Sequence, residues 1–63
     1  MDSDAAELSS VNSQLDELTE RIHAAARRYH SADRQDVAAE LYEVERHLRS
    51  ATRRLGRVRR THR

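Results

Sequence analysis

Two stretches decide the fold, LSSVNSQLDELTERIHAAARRY (residues 8–29) and VAAELYEVERHLRSATRRLGRV (residues 37–58). In each, apolar residues recur at alternating intervals of three and four, which is the a/d heptad pattern of a coiled-coil helix. Strands would need a period of two, which is absent. The two rows, here called the seams, are Leu8, Val11, Leu15, Leu18, Ile22, Ala25 and Tyr29, then Val37, Leu41, Val44, Leu48, Ala51, Leu55 and Val58. The chain is therefore predicted to be all-α.

The two seams are mirror images about residue 33. If the chain folds back there, residues whose numbers add up to 66 face each other, so that Leu18 meets Leu48. Each a position then faces a d position, as an antiparallel pair requires. One continuous helix is the alternative, but the eight-residue step from Tyr29 to Val37 would rotate the apolar stripe by roughly 80°. We therefore predict an antiparallel helical hairpin, that is, a two-helix coiled coil.

The helix boundaries follow from the residues that flank the seams. The predicted single domain, 1–63, has helix 1 at about 4–30, a turn at about 31–33, helix 2 at about 33–57 and a frayed basic tail at 58–63. Ser3 or Asp4 is expected to cap helix 1, and Ser31 or Asp33 helix 2, because their short side chains accept hydrogen bonds from first-turn amides. Gly56 disfavours helix and is the reason for expecting a frayed tail.

The small size of the chain predicts association between copies. A chain of this length buries only about 60% of its unfolded surface, and the 63 residues include no cysteine for a disulfide. Two helices alone leave one side of every seam residue open to water. We therefore expect two hairpins to form a homodimeric four-helix bundle whose core is the fourteen seam residues. The small e positions are expected to face the second hairpin, with Thr19, Ala26 and Ala38 as the dimer flank.

Charge is strongly segregated, although the net charge is only +1. Residues 1–20 hold six acids and no arginine, whereas residues 46–63 hold eight arginines and no acid. The hairpin places these segments side by side, so mutual neutralisation is one interpretation of the arginines and solubility is another. Binding of an acidic partner is the functional interpretation, because guanidinium groups suit carboxylate and phosphate. The residues concerned are Arg46, Arg49, Arg53, Arg57 and Arg60.

Tyr42 lies outside the seam. It is expected either to pack at the edge of the interface between the helices or to contact a partner.

The sequence offers little for catalysis, metal or cofactor binding. Glu20 and His23 have the Glu-x-x-His spacing of di-iron bundles, but both lie outside the seam and are expected to be solvated. Without cysteine or a glycine-rich loop, no zinc finger or phosphate loop is expected. We therefore predict that the protein is not an enzyme and has no metal or cofactor.

The ends and the composition bear on where the protein acts. The acidic start, MDSD, is unlike a signal peptide, and no apolar run approaches a membrane span. A cytoplasmic protein without a membrane partner is the resulting expectation. All twelve basic residues are arginine, which is typical of GC-rich coding and favours a bacterial source.

Two functions are consistent with these features. The leading hypothesis is a non-enzymatic protein–protein interaction module, regulatory or scaffolding, built on a helical-hairpin oligomer with an unidentified protein partner. The alternative is a nucleic-acid-binding regulator that uses the Arg-rich face of helix 2, since a basic helix can follow a phosphate backbone without reading bases.

Overall fold

Two helices packed side by side make up the part of the chain that the structure describes. The computed structural model describes the backbone of residues 2–61 and the side chains of residues 4–61. Helix α1 spans Asp2–Ser31 and helix α2 spans Gln35–Thr61. The chain measures 48 × 14 × 10 Å, which is about the length of one 30-residue helix at 1.5 Å per residue. The predicted all-α hairpin is thereby confirmed, and the alternative of one continuous helix is wrong.

Both helices extend beyond their predicted ends. Helix α1 begins at Asp2, ahead of the expected caps Ser3 and Asp4, and the Ser3 side chain lies outside the described residues. Helix α2 continues through Gly56 to Thr61, so the basic tail is helical up to that residue, while residues 62–63 are outside the description. Because α1 starts so early, the last turns of α2 have a helix beside them. Packing therefore offsets the weak helix propensity of one glycine.

The connection is a Schellman turn built without glycine. The amide of Asp33 donates to the His30 carbonyl at 3.1 Å, and that of Arg34 donates to the Tyr29 carbonyl at 2.9 Å. This pair of hydrogen bonds requires that the first residue after the helix cap has a left-handed backbone conformation, and Asp33 has it, with φ of 60°. Aspartate tolerates this region better than most residues with a side chain. The chain therefore reverses direction although the turn contains neither glycine nor proline.

Arg34, rather than Ser31 or Asp33, is the cap residue immediately before α2. Its carbonyl accepts the first hydrogen bond of the helix, from the Ala38 amide at 3.0 Å. Ser31 is still part of α1, and Asp33 is committed to the left-handed turn. Asp36 places negative charge in the first turn of α2, where it complements the helix dipole. Its pKa is lowered by hydrogen bonds from the Arg34 side chain and the Val37 amide.

We predict that Asp33→Gly will stabilise the hairpin by about 1 kcal/mol, because glycine enters the left-handed region without steric cost. Urea unfolding followed by circular dichroism measures the change. Asp33→Val is the matched opposite and should destabilise the hairpin, because a β-branched side chain is strongly disfavoured at positive φ. Equal stability of the two variants would contradict this account of the turn.

The helices pack through their a and e positions, and not through a and d. The residues buried most deeply are Ala26, Ala38, Thr19 and Glu45, with 0 to 8% of their surface exposed, and all four lie at e. At ~100° per residue, moving the contact from a/d to a/e rotates each helix by about 50°. Three of these four side chains are small, so they allow the helix backbones to approach closely, and this accounts for the rotation.

The dimer flank predicted from the sequence therefore needs correction. Thr19, Ala26 and Ala38 are covered by the other helix of the same chain, so they are not free to face a second hairpin. The predicted register holds approximately. His23 contacts both Glu45 and Tyr42 across the interface, and these pairs add up to 68 and 65, on either side of the predicted 66.

Candidate functional site

The rotation leaves one row of the predicted core on the surface. This row, here called the apolar face, consists of the exposed d residues Val11, Leu18, Val44, Ala51 and Val58. Leu18 and Val58 are 45% and 47% exposed. Beside them, other seam residues are half-buried between the helices, namely Leu8, Leu15, Ile22, Ala25, Val37, Leu41, Leu48 and Leu55. Of the remaining predicted core residues, Tyr29 is exposed near the turn. A single chain thus buries only part of its predicted core.

A polar cluster ties the two helices together on the opposite side of the interface. The Nδ1 of His23 in α1 donates to Glu45 Oε1 in α2 at 2.8 Å. Arg49 holds the other oxygen of that carboxylate, with Nε at 2.9 Å and Nη2 at 2.7 Å. The Tyr42 ring lies edge-on to the imidazole with its centroid 6.2 Å away. Glu45 is therefore buried with a partner for each oxygen, and Tyr42 packs against this cluster while staying partly exposed.

This cluster makes the hairpin sensitive to acid. The pKa of Glu45 is lowered from its ordinary value of 4.5, first by the hydrogen bond from His23 and then by that from Arg49. A group with a lowered folded-state pKa stabilises the fold above its unfolded pKa and loses this effect as the pH falls through the folded-state value. The contribution should thus be complete above about pH 4.5 and disappear at lower pH.

We therefore expect Glu45→Gln to lower the urea midpoint at neutral pH and to flatten its dependence on pH in the acid range. Measuring the midpoint from neutral pH down to about pH 3 tests this. Glu17→Gln is the control, because Glu17 is an exposed carboxylate on the outer side of α1. If Glu17→Gln flattened the acid dependence as much as Glu45→Gln, the cluster would not be its source.

The structure divides the arginines predicted to bind an acidic partner into two groups. Arg46 donates to Glu43 at 2.6 Å, and this hydrogen bond is the main reason that the pKa of Glu43 is lowered. Arg49 is bound to Glu45. Arg53, Arg57 and Arg60, by contrast, form no ion pair within the described residues, and all three are exposed. The free cationic groups are thus concentrated in the last turns of α2.

These free arginines border a groove between the ends of the two helices. This basic groove has a volume of about 530 Å³ and is lined by Arg53, Arg57, Arg59, Arg60, Asn12, Thr52 and Gly56. A second groove shares Thr52 and Arg53 with it and continues towards Asp16 and Glu20. The two grooves lie on the side of the hairpin where the b positions are, and the apolar face lies on the opposite side, at the d positions. Seen along each helix axis, b and d positions lie ~80° on either side of the direction towards the other helix. The hairpin therefore has one apolar and one charged face.

Sequence reasoning missed the polar half of the interface. It placed His23 on a solvated face, whereas His23 is half-buried and bonded across the interface to Glu45. Asn12, another e residue, has a buried Oδ1 without a hydrogen-bond partner in the described structure. The sequence does contain a sign of this interface, because every e position near the middle of a helix is small or polar. From the sequence alone these positions are assigned to contact with a second hairpin, whereas they contact the other helix of the same chain.

The described residues contain neither a cluster of metal ligands nor a membrane-spanning stretch. Residues 4–61 contain no group of three or more His, Asp or Glu side chains that could hold a metal ion. Neither α1 nor α2 has a stretch long and apolar enough to cross a membrane. Comparison with known proteins yields no match to a family model, to a curated protein or to a solved structure.

Proposed function

We propose that this protein is a non-enzymatic interaction module that acts as a homodimer, with the apolar faces of two hairpins packed together in a four-helix bundle. The observation that supports this is the row of aliphatic d residues left on the surface, among them Val11, Leu18, Val44 and Val58 at 39 to 47% exposure. Large apolar residues that are exposed together on one side of a small protein are typical of an interaction site. Covering it would complete the core that one chain leaves open.

Charge favours a second copy as the occupant of this face. A twofold dimer contacts itself through the same patch on both copies. If α1 packs on the partner's α2, the six acids of residues 1–20 lie beside the eight arginines of residues 46–63. If instead α1 packs on the partner's α1, the twofold makes these helices antiparallel. The acids of residues 2–7 then lie beside the three arginines of residues 21–31, but Asp16 and Glu17 lie near their own copies. Charge therefore favours the orientation in which α1 packs on the partner's α2, because the apolar face then closes between segments of opposite charge.

Sedimentation velocity at micromolar concentration tests the assembly. We expect a species of twice the 7.3 kDa chain mass that dissociates on dilution. A folded species that stays at the mass of one chain over the micromolar range would refute the proposed dimer.

A nucleic-acid-binding regulator is the second candidate function, favoured by the unpaired Arg53, Arg57 and Arg60. Each phosphate contact on duplex DNA makes the logarithm of affinity fall with the logarithm of salt concentration, with a slope of about −0.9. Three contacts would therefore give a steep salt dependence on any DNA sequence. Against this function, the described hairpin has no aromatic platform beside these arginines on which bases could stack.

A further inference from the structure

Three of the arginines of α2 that form no ion pair within the described residues lie in one row. Arg53, Arg57 and Arg60 follow each other at intervals of four and three residues, so they lie on one side of the helix over about 10 Å. Towards the turn, Arg46 and Arg49 are neutralised by their own carboxylates. Arg54 and Arg59, on the same turns, also form no ion pair within the described residues. The unpaired cations of α2 therefore begin at Arg53, and the cationic site is confined to the last turns of the helix.

The space beside this row is open and has a polar floor. Thr52 and Gly56 of α2 and Asn12 of α1 lie in the basic groove. A methyl group at Gly56 would meet only the end of the flexible Arg60 side chain, at 3.6 Å, so helix packing does not demand glycine there. Glycine is nevertheless disfavoured inside a helix. Because Gly56 has no side chain, the floor of the groove is open between the arginine side chains and α1.

We propose that the basic groove binds a short carboxylate-rich helical segment of a partner protein. Carboxylates spaced by three and four residues on such a segment match the spacing of Arg53, Arg57 and Arg60, because both elements are α-helices. Guanidinium groups bind carboxylates through paired, charge-assisted hydrogen bonds. This inference rests on the proposed role as an interaction module. It adds the site through which the protein would bind a partner other than a second copy of itself.

The neighbouring groove favours an acidic protein segment over nucleic acid. It shares Arg53 with the basic groove, and it carries the carboxylates of Asp16 and Glu20. A nucleic-acid backbone that continued along the hairpin would bring its phosphates over these two acids. A short acidic segment ends before it reaches them. The groove is thus suited to a ligand with a few negative charges and not to an extended polyanion.

Fluorescence anisotropy with a labelled helical peptide tests the site. The probe is an alanine-based peptide with three glutamates on one face, and the same peptide with glutamines is the reference. We expect the full chain to bind the glutamate peptide, and Arg53→Ser/Arg57→Ser/Arg60→Ser to weaken that binding about tenfold by removing three surface ion pairs. Arg21→Ser/Arg27→Ser/Arg28→Ser is the matched control, because it removes the same charge from exposed positions on α1, and it should change the affinity less than about twofold.

Several results would overturn this site. Equal losses in the two triple variants would show attraction by net charge alone, and equal binding of the glutamine peptide would exclude carboxylate recognition. Tighter binding of a short DNA duplex, lost only in the groove variant, would assign the groove to nucleic acid. Circular dichroism should show unchanged helicity in both variants. Sedimentation separates this proposal from the dimer, because the groove variant should keep the dimer whether or not it binds the peptide.

Discussion

Leu18→Asp should convert the dimer into a monomer while the hairpin stays folded. In one chain Leu18 is 45% exposed, so an aspartate there remains hydrated and the contacts between α1 and α2 persist. In the proposed dimer the same position is buried in both copies. Each copy would lose ~2 kcal/mol of apolar burial and would place an unpaired carboxylate in the core, which costs several kcal/mol more. The dimer should therefore weaken by at least about a hundredfold.

Sedimentation velocity gives the mass of the variant, and circular dichroism reports its helicity. Ser13→Asp is the control, because Ser13 lies in the middle of α1 but is exposed at an f position, away from the apolar face. It adds the same charge and should leave the dimer intact. A Leu18→Asp variant that sediments like the unmodified protein would rule out the apolar face as the contact between copies.

Ala26→Leu should destabilise the hairpin by about 2–3 kcal/mol. Ala26 has no exposed surface because α2 packs directly over it. A leucine would have to push the helices apart or adopt a strained rotamer, and overpacking of this kind costs about 1–3 kcal/mol. A protein of this size has little stability to spare, so the effect on urea unfolding should be large.

Ala24→Leu is the matched control for this substitution. Ala24 is two residues away on the same helix and is exposed, so the same added volume should change stability by no more than about 0.5 kcal/mol. The pair also tests the rotation of the helices. If Ala26 faced a second hairpin, Ala26→Leu would disturb sedimentation before it disturbed folding. A change in mass with normal hairpin stability would therefore contradict the a/e packing.

The architecture could be predicted because heptad spacing is a local property of the chain. Intervals of three and four place Leu8 to Tyr29 on one side of a helix in any surroundings, and the mirrored second seam requires a reversal near residue 33. The position of the turn could be predicted, but the backbone conformation that makes the turn could not. The sequence has no glycine there, and only the backbone shows that Asp33 takes the left-handed conformation.

The acidic and basic segments could also be located from the sequence, but a count of charges alone does not show which arginines are paired. Arg46 and Arg53 occupy equivalent f positions on one helix, yet Arg46 is bound to Glu43 and Arg53 is unpaired within the described residues. The difference arises from which carboxylates lie within reach of each guanidinium group. Glu43 lies three residues before Arg46 on the same helix, whereas no acidic residue lies three or four residues from Arg53. Spacing along the helix therefore distinguishes the two arginines, which a count of charges treats alike.

The sequence by itself determined two amphipathic helices, their antiparallel order and the segregation of charge. Only the tertiary structure decided which side of each helix meets the other. Both a/d and a/e packing bury an apolar row, so heptad spacing does not distinguish them. The choice depends on how closely two backbones approach, which Ala26 and Ala38 permit at the e positions. That close approach buries Glu45 with His23 and Arg49, and it leaves Leu18 and Val44 on the surface.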